Sequence, residues 1–182
     1  MRTFLTAFKL FLTMTVLTGF AYPLLVTGYA MLFHGRKAGG SIVYTGGKAA
    51  GSELIAQKFN GPLYFHPRPS EVDYNTLPSG GSNLSPASAA LRKLAAARAA
   101  AEGDSPDMAY ASASGLDPDI SPAAALAQAD RVAQARRAPK VDIMSLVGAL
   151  TEQRSLGVLG EPRVNVLALN LALDKKYPYA GK

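Results

Sequence analysis

Few side chains in this sequence can do chemistry. It contains no cysteine and two histidines, His34 and His66, which removes disulfides, thiolate metal sites and a cysteine nucleophile. A serine hydrolase would have to use His66 as its base, because His34 sits at the edge of an apolar run, and no GxSxG elbow supplies the nucleophile. Zinc spacings such as HExxH are missing too. Asp117 and Asp119, in LDPD, read as a turn entering a helix rather than as calcium ligands. Gly47 and Lys48 suggest a phosphate loop, but Ile42 stands where its first glycine belongs and Ala49 where its magnesium-binding hydroxyl belongs. One segment remains as a candidate ligand site. In SGGSNLSP, residues 79–86, glycines, hydroxyls and an amide precede an expected helix start, where backbone amides can hold an anion or phosphate. A tight turn feeding an N-cap is the plainer reading of the same residues.

These residues are positioned by a chain with two textures. Residues 10–33 are 24 residues without a charged side chain, and as a helix they reach about 36 Å, enough to cross a hydrocarbon core of about 30 Å. Within the run Thr15, Gly19, Pro23 and Thr27 recur every four residues, a stripe of small side chains on which a partner helix can pack. Gly19, Phe20 and Ala21 also form a small-x-small cleavage pattern. The run continues 12 residues beyond Ala21, so a retained anchor is expected in place of a cleaved signal. Four of the six net positive charges lie in residues 1–37, which makes the basic balance a membrane flank and not a nucleic-acid surface. Basic residues tie across the span, so their count leaves orientation open. The expected division is a short flank at 1–9, a transmembrane helix at 10–33 and one domain at 34–182. A long block after a first span is compatible with export, and the domain is expected to be extracytoplasmic.

Past the span, residues 41–44 and the pair Gly46 and Gly47 predict a strand and tight turn. Residues 51–83 predict an ordered, loop-rich region pinned by Phe59, Tyr64, Phe65 and Tyr74. Ser85 with Pro86, and Ser121 with Pro122, read as helix starts, the first helix running to Glu102 and the second to about Arg137. Residues 104–120 read as a polar loop. Ile143, Leu146, Val147 and Leu150 give a helix with one buried face. The tail predicts a short extended piece to Asn165 and a helix capped by it. The fold class is therefore α+β: one N-terminal transmembrane helix, then a single soluble mixed domain with several helices and a small sheet.

Six blocks in this order resemble the KdpC family, the C subunit of the Kdp potassium-transporting P-type ATPase. They are GSELIAQKF at 51–59, YFHPRPS at 64–70, YN at 74–75, SGGSNL at 79–84, ASASGLDPDISPAAA at 111–125 and GEPRVNVLALNLALD at 160–174. The resemblance implies a single-span accessory subunit of a high-affinity, ATP-driven potassium import complex in a bacterial inner membrane. Its partners would be a pumping (B), a channel-like (A) and a small (F) subunit; the DKTGT phosphorylation motif, absent here, would belong to the pumping subunit. The resemblance further implies a catalytic chaperone that raises the pump's affinity for ATP, with Ser79, Gly80, Gly81, Ser82 and Gln153 as the nucleotide-related residues. Ser85, Ala87, Ser88 and Asp119 depart from the family's usual residues. Thr15, Gly19, Pro23 and Thr27, with Arg163, are the candidate interface. A membrane-anchored extracytoplasmic hydrolase acting alone through His66 is the alternative. If the domain lies outside, contact with cytoplasmic ATP is impossible, and any effect on ATP affinity would be indirect.

Overall fold

The computed structural model describes residues 1–102 and 105–178 and divides into two units, Met1–Ile42 and Val43–Lys182. The first unit is helical over Arg2–Ala38, 37 residues apolar and long enough to cross a membrane. It is not one uniform helix. α1 (Arg2–Val16) passes into a π-helical turn, Leu17–Ala21, before α2 (Tyr22–Ala38). Pro23 explains the turn: it lacks an N–H and its ring crowds the carbonyl four residues back, at Gly19, and one extra residue per turn moves that carbonyl aside. Thr15 and Thr18 hydroxyls donate to Phe11 O at 2.8 Å and Met14 O at 2.7 Å, so both side chains are satisfied within the helix. His34 leaves helical geometry at φ −137° and kinks α2 near its end.

The second unit carries the α+β domain. β1 (Ile42–Thr45) and the expected turn lead into a second strand, β2 (Lys48–Ser52), to form a hairpin, with Gly46 and Gly47 at φ +58° and +78° supplying the left-handed pair that a tight two-residue turn requires. Helices α3 (Ala89–Glu102), α4 (Pro106–Ala109), α5 (Pro122–Arg136), α6 (Lys140–Ala149) and α7 (Val166–Lys176) follow. Between them β3 (Asp119–Ile120), β4 (Thr151–Glu152) and β5 (Arg163–Asn165) make an antiparallel sheet in the order β3-β5-β4, with Ile120 and Thr151 both opposite Val164. Ala124, Ala125, Ala129 and Ala133 line the buried face of α5, and such short side chains let neighbouring elements pack close. Phe65, Met108, Ile120, Ile143, Val147, Val164, Leu169 and Leu173 fill the core.

Three local rules act as expected. Ser121 Oγ accepts from Ala124 N–H at 3.2 Å and caps α5, whose last turn closes on Arg137 at φ +54°. Asn165 Oδ1 accepts from Ala168 N–H at 3.1 Å and caps α7. Ile143 and Val147 face the core from α6.

Two expectations fail. Ser85 and Pro86 do not start a helix; Ser85 O accepts from Ser88 N–H at 2.8 Å in a turn, and α3 begins at Ala89. A hydroxyl beside a proline fits either a turn or an N-cap, and Ala89 onward has no buried residue to select the earlier start. Nor is the stretch after Ser105 a plain polar loop: α4 drives Met108 into the core, and Ser112 is buried with its N–H donating to Pro69 O at 2.9 Å.

Candidate functional site

Residues 61–69 are the hub of the domain, and two helices grip them with polar side chains. Consecutive residues of an extended segment face opposite ways. Accordingly Asn170 of α7 serves Phe65 while Gln128 of α5 serves His66. Phe65 N–H donates to Asn170 Oδ1 and Phe65 O accepts from Asn170 Nδ2, both at 2.9 Å. His66 N–H donates to Gln128 Oε1 at 2.8 Å, and His66 O accepts from Gln128 Nε2 at 3.1 Å. Each amide replaces a missing neighbouring strand, so a segment outside both sheets has its buried backbone groups paired.

Arginines complete the grip. Arg131, one turn beyond Gln128, donates to Tyr64 O at 3.0 Å. The side chain of Arg136 is only 1% exposed, and all three of its nitrogens have acceptors: Leu63 O at 2.8 Å, Tyr177 O at 3.0 Å and Asp174 Oδ1 at 2.6 Å. Its guanidinium also lies 4.7 Å from the centre of the Tyr64 ring. A buried cation is tolerated here because it is paired with Asp174 and each nitrogen donates to an acceptor.

His66 lines a cleft of about 360 Å³, walled by Phe59, Pro67, Pro69 and Met108 and edged by Lys58, Tyr74, Arg98 and Glu102. The imidazole Nδ1 stands 2.8 Å from Glu102 Oε1 and Nε2 stands 2.9 Å from Gly61 O. A carboxylate on one side and a backbone carbonyl on the other hold the ring at both nitrogens. Both ring nitrogens are thus engaged within the domain. Burial pushes the Glu102 carboxyl up, but the His66 hydrogen bond and the charges of His66 and Arg131 outweigh it and hold the group below its ordinary value. Burial, with Glu102 and Asp73 nearby, pushes the Tyr74 hydroxyl up to about 12. Arg98 pairs with Glu71 at 2.7 Å and Lys58 with Asp73 at 2.7 Å. Arg98, through Glu71, and Glu102, through His66, tie α3 to the loop region.

Charges also gather at the edge of the three-stranded sheet. Asp107, Asp117, Asp119, Glu161, Arg68 and Arg163 surround a shallow depression of about 300 Å³. Asp117 behaves as the turn residue its sequence suggests, Oδ1 accepting from Asp119 N–H at 3.2 Å. Asp107 accepts from Ser121 N–H at 2.8 Å at the start of α5. Arg163 spans the sheet, with Nε 3.2 Å from Asp119 Oδ2 and Nη2 2.9 Å from Glu152 Oε2. Burial, with Asp117 and Glu152 adding to it, raises Asp119 above the usual value against the pull of Asn165 and Arg163.

Ser79, Gly80, Gly81 and Ser82 stand seven or more positions ahead of α3 and do not form its N-terminus. Gly80 and Gly81 pack on the 111–115 loop: a Cβ on Gly81 would come within 3.2 Å of Ala113 O, and one on Gly115 within 2.9 Å of Gly80 O. Gln153 is exposed just after β4. In the first unit Thr15, Gly19, Pro23 and Thr27 are exposed. A Cβ on Gly19 would meet nothing within 4 Å in this chain. The clamps Asn170, Gln128 and Arg136 were missed by sequence reasoning. Their signal was polar residues at helical spacing on otherwise apolar faces, Gln128 with Arg131 and Asn170 with Asp174.

A family profile described as KdpC, the c chain of the K+-transporting ATPase, matches residues 4–175. Among curated proteins, the potassium-transporting ATPase KdpC subunit of Rhodospirillum rubrum is 49% identical, covering 99% of both chains. The corresponding proteins of Polynucleobacter asymbioticus and Acidobacterium capsulatum are 50% and 48% identical, covering 91% and 89% of this chain and 94% and 92% of their own.

Proposed function

Since this chain belongs to the KdpC family and is a subunit of the K+-transporting ATPase, we propose that it is the accessory, non-catalytic member of a potassium import complex, working beside pumping (B), channel-like (A) and small (F) subunits. The near-full-length family match carries the reading, joined to one apolar helix ahead of an α+β domain. That helix anchors the chain in a bacterial inner membrane and the domain stands on the extracytoplasmic side. What supports a binding body is that His66 acts as a brace, while Lys58 and Arg98 at the cleft edge pair with Asp73 and Glu71.

With the domain outside, the subunit raises the pump's affinity for ATP without touching ATP. It binds some conformations of the pump more tightly than others and shifts their populations, since equal affinity for all would shift nothing. Ser79, Gly80, Gly81 and Ser82 then serve by shaping the 111–115 loop, and Gln153 as an exposed contact. Co-purification from membranes tests the reading. Recovery in a stable complex with a large multispan subunit is the expected result; a chain recovered alone, with hydrolase activity lost in His66→Gln, would replace it with the enzyme reading.

A further inference from the structure

The π-helical turn and Pro23 together leave backbone acceptors without donors. Tyr22 N–H donates five residues back, to Leu17 O. Regular pairing resumes at Ala21, the N-cap of α2, whose carbonyl takes the first bond of that helix. Between these two points stand the carbonyls of Thr18, Gly19 and Phe20, and the backbone positions left to serve them are 23 and 24. Pro23 has no N–H, so Leu24 N–H is the single donor for three acceptors, and two of them go without. Side chains do not make up the difference. The Thr15 and Thr18 hydroxyls are given to Phe11 O and Met14 O, and no side chain of the described residues donates to the 18–20 carbonyls. Access is open, because Gly19 has no side chain and a Cβ there would meet nothing within 4 Å. The turn lies at the middle of the 24-residue uncharged run, where a spanning helix has no water to satisfy such groups.

From this we infer that the 18–20 turn is a hydrogen-bond docking site, filled by a side-chain donor (a hydroxyl, carboxamide or indole N–H) on a membrane helix of another subunit of the same ATPase. The inference rests on the reading of the chain as a single-span subunit of that complex. Chemistry decides against a lipid tail, which has no donor to offer. Symmetry decides against a second copy of this chain. Two copies inserted in the same sense and paired about a two-fold axis set each face against itself, so acceptors would meet acceptors, and the Thr18 hydroxyl at that level is already given to Met14 O at 2.7 Å. A helix of another subunit is not bound by that symmetry. Close backbone approach at a small residue, joined to a polar contact between helices, is how helices associate where apolar surface gives no driving force.

The test uses the full chain co-expressed with the other subunits. The chain has no cysteine, so Val16→Cys, at an exposed position four residues before Phe20, carries a thiol-linked benzophenone at one place. Illumination is expected to give an adduct with a membrane helix of another subunit, and the peptide identified by mass spectrometry is expected to hold a side-chain donor. Pro23→Ala restores the missing N–H and lets the helix pair its own carbonyls. The domain should then melt as in the parent, while recovery of the complex falls about tenfold. Replacing the partner's donor by its apolar isostere should give the same loss, and the two changes together no more than either alone. Losses that add, or recovery indifferent to Pro23→Ala, overturn the inference. Adducts with lipid alone, none at all, or adducts with a second copy, whose Tyr22 is the hydroxyl left within a turn of the site, overturn it too. Failure of the unsubstituted chain to co-purify would instead overturn the subunit reading, and it is seen before any illumination.

Discussion

Replacing Asn170 by alanine should cost this domain a large part of its stability, although the residue lies 105 positions from its partner. Its side chain is buried and closes two hydrogen bonds, to the N–H and the C=O of Phe65, each at 2.9 Å. Alanine would strand both groups away from water. At about 1–3 kcal/mol for each unsatisfied buried group, the loss comes to about 2–6 kcal/mol, against a total stability of about 5–15 kcal/mol for a domain. The melting temperature should fall by about 10 °C, taking about 2–4 °C per kcal/mol for a chain of this size. Asn170→Leu should be as damaging, since it restores volume and no donor or acceptor. Urea unfolding of the full chain in detergent, followed by far-UV circular dichroism, measures the loss. Lys140→Ala supplies the contrast: it removes an exposed 2.7 Å pair with Asp130, worth less than about 1 kcal/mol. If Asn170→Ala costs no more than Lys140→Ala, Phe65 is not held by its backbone and the clamp argument fails.

The other expectations address assembly, topology and pH. Gly19→Leu adds a side chain where this chain has open space, so the isolated protein should keep its stability, while a packed partner helix would lower complex recovery by about 1–3 kcal/mol of affinity; unchanged recovery would exclude the stripe as an interface. Arg163→Lys keeps the charge but loses the fork that joins Asp119 and Glu152, and at this exposure it should change stability by less than about 1 kcal/mol; a clear loss of complex at unchanged stability would assign Arg163 to a subunit contact. Thr76→Cys, on an exposed residue, should react with a membrane-impermeant thiol reagent on cells whose inner membrane is intact, and labelling only after that membrane is broken would put the domain in the cytoplasm. Ser112 cannot serve as that reporter, being 2% exposed. Glu102 is held below its ordinary value of 4.5, so its contribution is full above that value and disappears as pH falls through the lower folded value. The acid limb of a stability-against-pH curve should be shallower in Glu102→Gln, and an identical limb would show that the His66 bond adds nothing.

Short-range physics was legible in the sequence. The apolar run, the Gly46 and Gly47 turn, the Ser121 and Asn165 caps and the buried face of α6 each depend on residues within a turn or two, and each formed where local rules place it. The π-helical turn was not expected from the sequence, although Pro23, with no N–H and a ring that crowds the carbonyl at Gly19, accounts for it. Family membership was legible for another reason: six ordered blocks are a long-range record written along the chain. Tertiary structure alone decided what the polar residues do. Nothing near Asn170 or Gln128 says that they hold Phe65 and His66 across 105 and 62 positions, and Arg136 reads as a helix-end charge until Leu63, Tyr177 and Asp174 close around it. The same holds for His66, a candidate base by composition and a brace once Glu102 and Gly61 occupy both its nitrogens. A hydrogen bond is indifferent to sequence separation, so a residue's chemical capacity is fixed by its type, while folding decides whether that capacity is free or already spent.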